Sequence, residues 1–410
     1  MVRFKAYLQV LRRPRVLTLF TSSLVGRAAY AFVLLPLFFA TQHSGGSVAS
    51  AGIAVGVYSA GAGLLAPARA SLIDHFGSRK VLGILVISYG GILAMLTLAG
   101  AASVPSWGFI ALAGAAGVAA PPLGPTMRVA WSALLENQDD RKTGLSLDAT
   151  VEELLYVAGP VVAGLLLGLF APWQVFLVPT VLALTGGLLF VRSLSVLDTI
   201  QLSDRVADPA QGRFLLLDAR FVALLVPALV AGGISGLLDI VVPALSDQMG
   251  GPAAVGIVLG VFSVGSVVGG LLYGVMRFPW STTRQLFSAC VLLIVTTSII
   301  AWLSDPVSLG AALGVAGLFM SPVMVAAYMA APARASARRS NAATTWVNSS
   351  YNLGSAGGSA ITGVLIEHVG SAQSVLAVCC ALLCLVVVGA VVSTGNENGD
   401  DDGCERTGVA

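Results

Sequence analysis

Gly52-Ile-Ala-Val-Gly-Val-Tyr-Ser-Ala-Gly61 returns in the second half of the chain as Gly256-Ile-Val-Leu-Gly-Val-Phe-Ser-Val-Gly265. The likeness extends outward in the same order. Pro125, Met127, Ala130 and Trp131 are answered by Pro322, Met324, Ala327 and Tyr328, and Tyr156 and Gly159 by Tyr351 and Gly354. Self-similarity at matching places in two halves is the mark of an internal duplication. Both copies lie in apolar stretches, so the repeated unit is a set of helices.

Composition supplies the solvent for those helices. Of 410 residues, 56% are hydrophobic and 10% charged, against about 25% charged in an ordinary soluble domain. A hydrocarbon core needs about 20 apolar residues per helix. Twelve such runs are read: Val16 to Ala40, Val48 to Ala68, Val81 to Ala102, Ser106 to Met127, Leu145 to Phe170, Trp173 to Val191, Phe221 to Leu245, Ala253 to Met276, Leu286 to Leu303, Val307 to Ala330, Ala343 to Ile366 and Ala372 to Val392. Threaded alternately, they put Lys and Arg in the turns of one side and none in the turns of the other, which by the positive-inside bias places both termini in the cytoplasm. The first run is read as an uncleaved helix, being too long for a signal peptide and followed by further spans.

The expected fold is an all-α membrane protein of two parallel, pseudo-symmetric six-helix bundles: residues 1–194, a polar cytoplasmic linker 195–219, residues 220–392, and a tail 393–410. Parallel repeats of this kind are expected to enclose a cavity near mid-bilayer and to rock about it. Other classes lack their residues. No Gly-x-x-x-x-Gly-Lys-[Ser/Thr] loop holds a nucleotide, no basic stripe suits nucleic acid, and no catalytic cluster suggests an enzyme. Cys379, Cys380 and Cys384 have no His or carboxylate beside them, so a metal site is not expected and small apolar filler is the reading.

Ala70-Ser71-Leu72-Ile73-Asp74-His75-Phe76-Gly77-Ser78-Arg79-Lys80 resembles the signature loop of the major facilitator superfamily, with His75 and Ser78 departing from the usual pattern. The resemblance implies that Ala70, Asp74, Gly77, Arg79 and Lys80 form a cytoplasmic latch, Asp74 facing the eleventh span in the outward-facing state. Gly159-Pro160-Val161-Val162-Ala163-Gly164 is similar to the Gly-Pro-x-x-x-Gly core of the superfamily's proton-coupled antiporters, which assigns Gly159, Pro160 and Gly164 to a bend and smooth surface at the contact between the halves. The Arg that family members carry in the middle of the fourth span is missing; Ala113 stands near its place.

Ionisable groups inside spans are functional candidates by default. Arg27 falls about 16 Å deep along its run and Glu153 about 12 Å, so the two are expected to pair. Burial raises a carboxylate's proton affinity and a nearby guanidinium lowers it, which makes such a pair a proton switch. Glu153, Arg27, Glu152 and Asp239 are the coupling candidates; Arg69, Arg128 and Asp148 are read close to the cytoplasmic edge, where snorkelling is the alternative. Tyr30, Arg128, Trp131, Trp346, Asn348, Tyr351 and Asn352 are expected to line the cavity, a set suited to a moderately apolar organic molecule. The resemblance implies a bacterial inner-membrane transporter, monomeric and without a bound cofactor, that exports a small hydrophobic or amphipathic compound such as a drug or natural product against protons. Import of a sugar or organic acid with protons is the alternative.

Overall fold

A computed structural model describes residues 9–13, 15–135, 137–194, 218–276, 278–303, 305–335 and 340–395, and among them every regular element is helical. In the first half these are α1 (Val16–Ala31), α2 (Leu34–His43), α3 (Val48–Leu64), α4 (Ala66–Phe76), α5 (Ser78–Ala101), α6 (Ser106–Ala119), α7 (Leu123–Leu134), α8 (Gln138–Leu169), the short α9 (Pro172–Val175) and α10 (Leu177–Ser193). The second half adds α11 (Ala219–Ala244), the short α12 (Ser246–Met249), α13 (Pro252–Val275), α14 (Thr282–Ser298), α15 (Pro306–Arg334), α16 (Ser340–Val369) and α17 (Ala372–Gly395). The linker and tail expected from sequence lie largely outside the described residues.

Among the described residues ten helical stretches are long and apolar enough to cross a membrane, and the pair α3 and α4, bent by 41°, makes an eleventh if taken as one span. The remaining expected run lies in α16, 30 residues long, whose Ser, Thr, Asn and Gly content leaves it too polar for that set. The chain is therefore a multi-pass membrane protein. Several spans are broken where the sequence removes donors: α6 and α7 part at Pro121 and Pro122, and α3 and α4 part just before Pro67. Proline lacks the N–H that would continue the helical ladder.

The chain divides into two compact units, Met1–Val206 with Val242–Gly260, and Ala207–Val241 with Val261–Ala410. Each unit packs by close backbone approach, as expected where lipid removes any hydrophobic force between helices. In the first unit, a Cβ on Gly61 of α3 would lie 2.9 Å from the Gly117 carbonyl carbon of α6. In the second, a Cβ on Gly265, the repeat partner of Gly61, would lie 2.1 Å from the Gly314 oxygen of α15. The duplication thus preserves a helix contact as well as a sequence.

Ion pairs repeat with their signs exchanged. Arg13, just ahead of α1, bonds Asp140 in the first turn of α8. Asp218, just ahead of α11, accepts from Arg334 Nε in the last turn of α15 at 3.2 Å. Asp218 also caps α11, accepting from the amides of Arg220 at 2.9 Å and Phe221 at 3.3 Å. Desolvation opposes ionisation of this carboxyl, yet those two amides and the Arg334 guanidinium outweigh it and hold it below the usual carboxylate range. A depressed native pKa adds stability above the unfolded value and loses it as pH falls through the native one. Asp218→Ala is accordingly expected to cost about 1 kcal/mol at neutral pH, and the gap to wild type should shrink in acid, as thermal unfolding across pH would show.

Candidate functional site: a buried charge cluster in the first unit

Arg27 on α1 is 3% exposed, and a guanidinium so placed needs a carboxylate. Asp148 on α8, fully buried, supplies a two-pronged one: Nη2 donates to Oδ1 at 2.6 Å and Nη1 to Oδ2 at 3.2 Å. This fork-to-fork geometry is the strong form of the interaction. Glu152 follows Asp148 by one helical turn and so shares its face; its Oε1 lies 3.7 Å from Arg27 Nη1. Arg128, projecting from α7, closes the set. Its Nε lies 3.7 Å from Asp148 Oδ2 and its Nη2 donates to Glu152 Oε2. Two guanidiniums and two carboxylates therefore balance in formal charge.

The members differ in exposure, and the difference separates their roles. The side chains of Arg27 and Asp148 are 2% and 0% exposed, whereas those of Arg128 and Glu152 are 48% and 24% exposed. Beside them lies a pocket of about 20 Å³ lined by Arg27, Tyr30, Ala31, Glu152, Leu155 and Tyr156. That volume admits a single water molecule. Gly124 leaves space here, since a Cβ on it would sit 3.2 Å from Glu152 Oε1. Tyr30 donates its hydroxyl to the Pro121 carbonyl. Its ring meets Tyr89 edge-on at 5.6 Å, and the Tyr89 and Tyr58 hydroxyls bond at 2.8 Å.

Several expectations change. Arg27 pairs with Asp148 and Glu152 among the described residues; Glu153 is in α8, but its side chain lies outside them. Asp148 is not at a wetted edge, because α8 begins at Gln138, about two turns before the expected Leu145. Arg69 is likewise buried, at 5% exposure, and does not snorkel. Trp131 is fully buried in the core against Phe20, ring centroids 5.5 Å apart, and does not line the pocket. In the second unit, Trp346, Tyr351 and Asn352 on α16 are partly buried and Asn348 is exposed. Asp239 on α11 is partly buried. The sequence offered one signal for the missed pairing, the spacing of Asp148 and Glu152.

The signature segment falls at the turn between α4 and α5. Gly77 has φ 87°, a left-handed value that strains a residue bearing a side chain. Arg79 and Lys80 are exposed in the first turn of α5, and Ala70 is exposed as well. The Asp74 side chain lies outside the described residues. Among the described residues no cluster of metal-ligating side chains occurs, and Cys290, Cys379, Cys380 and Cys384 are free.

The Gly-Pro segment of α8 serves close packing inside the first unit. A Cβ on Gly159 would lie 2.5 Å from the Ala31 Cβ, and one on Gly164 would lie 2.6 Å from the Pro252 oxygen. From the other side, a Cβ on Gly256 would meet the Pro160 oxygen at 2.3 Å. Since backbone cannot yield as a flexible side chain does, Gly256→Ala is expected to destabilise by about 1–3 kcal/mol. Denaturant titration in detergent measures it, and an unchanged midpoint would remove the contact from the account.

Residues 16–315 and 224–401 match the family model described as Major Facilitator Superfamily. No curated relative matches the sequence. Among solved structures, the chain is similar to the nucleoside transporter NupG, at 13% identity over 93% of this chain and 99% of that one, with a TM-score of 0.71. It is also similar to an auto-inhibited peptide transporter of the POT family, at 12% identity over 92% and 96% with a TM-score of 0.66. A third likeness is to a bacterial homologue of the human lysosomal transporter Spinster, at 13% identity over 95% of each chain with a TM-score of 0.64. At these identities the likeness is one of fold.

Proposed function

Since the chain belongs to the Major Facilitator Superfamily, and is thus a secondary transporter of a small molecule and not an enzyme, we propose that it is a proton-coupled antiporter. It exports a small hydrophobic or amphipathic compound from a bacterial cytoplasm by alternating access, as a monomer with both termini inside. The observation that carries this reading is the unequal quartet Arg27, Asp148, Arg128 and Glu152. Arg27 and Asp148 are locked together in the interior, while Glu152 is shared between two guanidiniums at the edge of a water-sized pocket. A carboxylate so placed stands where a proton and a guanidinium can compete for the same oxygens. Tyr30 and Tyr156 on the same pocket add the aromatic surface an amphipathic compound prefers.

The test is direction of flux. Inverted vesicles containing the protein, given an inside-acid gradient and a panel of fluorescent amphipathic compounds, are expected to accumulate at least one of them and to release it when an uncoupler is added. Accumulation only when the gradient is reversed to outside-acid would overturn antiport and establish uptake with protons. Uptake indifferent to the uncoupler in both orientations would remove protons from the mechanism.

A further inference from the structure

Arg69 on α4 is buried, and its described partners are backbone oxygens instead of a carboxylate. Nη1 donates to the carbonyls of Gly61 at 3.1 Å, Gly117 at 2.9 Å and Val118 at 3.1 Å, and Nη2 donates to the carbonyl of Ala62. Gly61 and Ala62 belong to the last turn of α3, Gly117 and Val118 to the last turn of α6. The final four carbonyls of a helix have no partner within it, and that end carries the negative pole of the helix dipole. Two such poles meet here because Gly61 and Gly117 let α3 and α6 touch.

Ordinary continuation cannot serve the end of α6. The amides that would have reached Gly117 and Val118 from one turn onward are those of Pro121 and Pro122, and neither has an N–H. Among the described backbone amides, that of Ala120 reaches the Gly117 carbonyl, at 3.3 Å. A planar guanidinium presents several donors in a fixed fork, whereas an ammonium is a compact point charge. Four carbonyl oxygens converging from two helix ends therefore favour arginine at 69 over any other cation.

We propose that Arg69 is a positioning residue, a guanidinium staple that fixes the break between α3 and α4 and the break between α6 and α7 together. Through the first break it orients α4, whose end carries the signature turn at Gly77. Through the second it orients α7, which places Arg128 against Glu152. The staple stands on its own geometry; only its consequence for Glu152 rests on the proposed coupling.

Hydrogen exchange read by mass spectrometry on the purified full-length protein in lipid nanodiscs tests the staple without any transported compound. In Arg69→Ala, amides in the last turns of both α3 and α6 are expected to exchange at least about tenfold faster. Methylguanidinium at millimolar concentration should slow both again by filling the vacated carbonyl cradle, and methylammonium should not. Arg69→Lys keeps the charge and loses the fork, so it should leave at least one of the two helix ends fast. Wild-type exchange in Arg69→Lys, a change confined to one helix end in Arg69→Ala, or equal protection by methylammonium would each overturn the proposal, as would a uniform rise across the whole protein. Should Arg69→Ala fail to fold, Arg69→Lys alone decides. Because no flux is measured, failure of proton coupling leaves this result standing, and failure of the staple leaves the flux test untouched.

Discussion

Asp148→Asn is expected to destabilise the protein by about 3–5 kcal/mol, the cost of leaving a buried charge without its partner. Arg27 is held by both Asp148 oxygens, at 2.6 and 3.2 Å, and neither side chain reaches solvent. Asparagine keeps the shape and one acceptor but removes the charge. Glu152, at 3.7 Å from the same guanidinium, is too distant for a direct hydrogen bond. Unfolding in denaturant, followed by tryptophan fluorescence, supplies the number. The double variant Arg27→Met with Asp148→Leu removes both charges and is expected to recover most of the loss, since a buried pair replaced by apolar groups is often neutral in stability. Coupling of that sign between neighbouring sites is what a double-mutant cycle isolates. A single Asp148→Asn variant within about 1 kcal/mol of wild type would mean that the pair is not the anchor described.

The second large effect is on transport. Glu152→Gln is expected to reduce gradient-driven flux to the level of protein-free vesicles while leaving exchange of labelled for unlabelled compound intact. Glutamine fills the same volume beside the pocket and keeps an acceptor for Arg128, but it cannot take up or release a proton. Exchange without net flux needs only the conformational cycle, so its survival separates lost coupling from lost folding. Glu153→Gln is the matched control, because sequence alone favours Glu153 as the partner of Arg27. Loss in Glu153→Gln with retention in Glu152→Gln would transfer the role to Glu153.

The fold was legible because its signals are long and redundant. Apolar runs of spanning length and one-sided placement of Arg and Lys leave few alternatives to a helical membrane protein, and the Gly52 and Gly256 segments reveal the duplication without any structure. The packing glycines Gly61 and Gly265 follow from that same repeat. Breaks within spans were less visible in advance. Pro121 and Pro122 marked one of them, and Pro36, which has no N–H to reach the Phe32 carbonyl one turn earlier, marked the break between α1 and α2 at Phe32 and Val33.

The charge cluster was legible in composition but not in pairing. Arg27 stood out as an ionisable residue deep in an apolar run, and Glu152 stood beside Glu153 in the fifth run, the span expected to pair with it. Which carboxylate meets the guanidinium depends on helix rotation and on where α8 begins, and an offset of two turns carried Asp148 from the expected edge into the interior. Arg69 was illegible for a different reason. Its partners are backbone oxygens, which leave no imprint on side-chain spacing.

The most direct measurement is an infrared titration of the carboxyl band in protein reconstituted into lipid vesicles, comparing wild type with Glu152→Gln, with and without a compound accumulated in the flux assay. If Glu152 couples the cycle to protons, the difference between the two proteins isolates one titrating carboxyl, with a midpoint that moves when the compound binds. Identical titrations in the two proteins, or a midpoint indifferent to the compound, would contradict it.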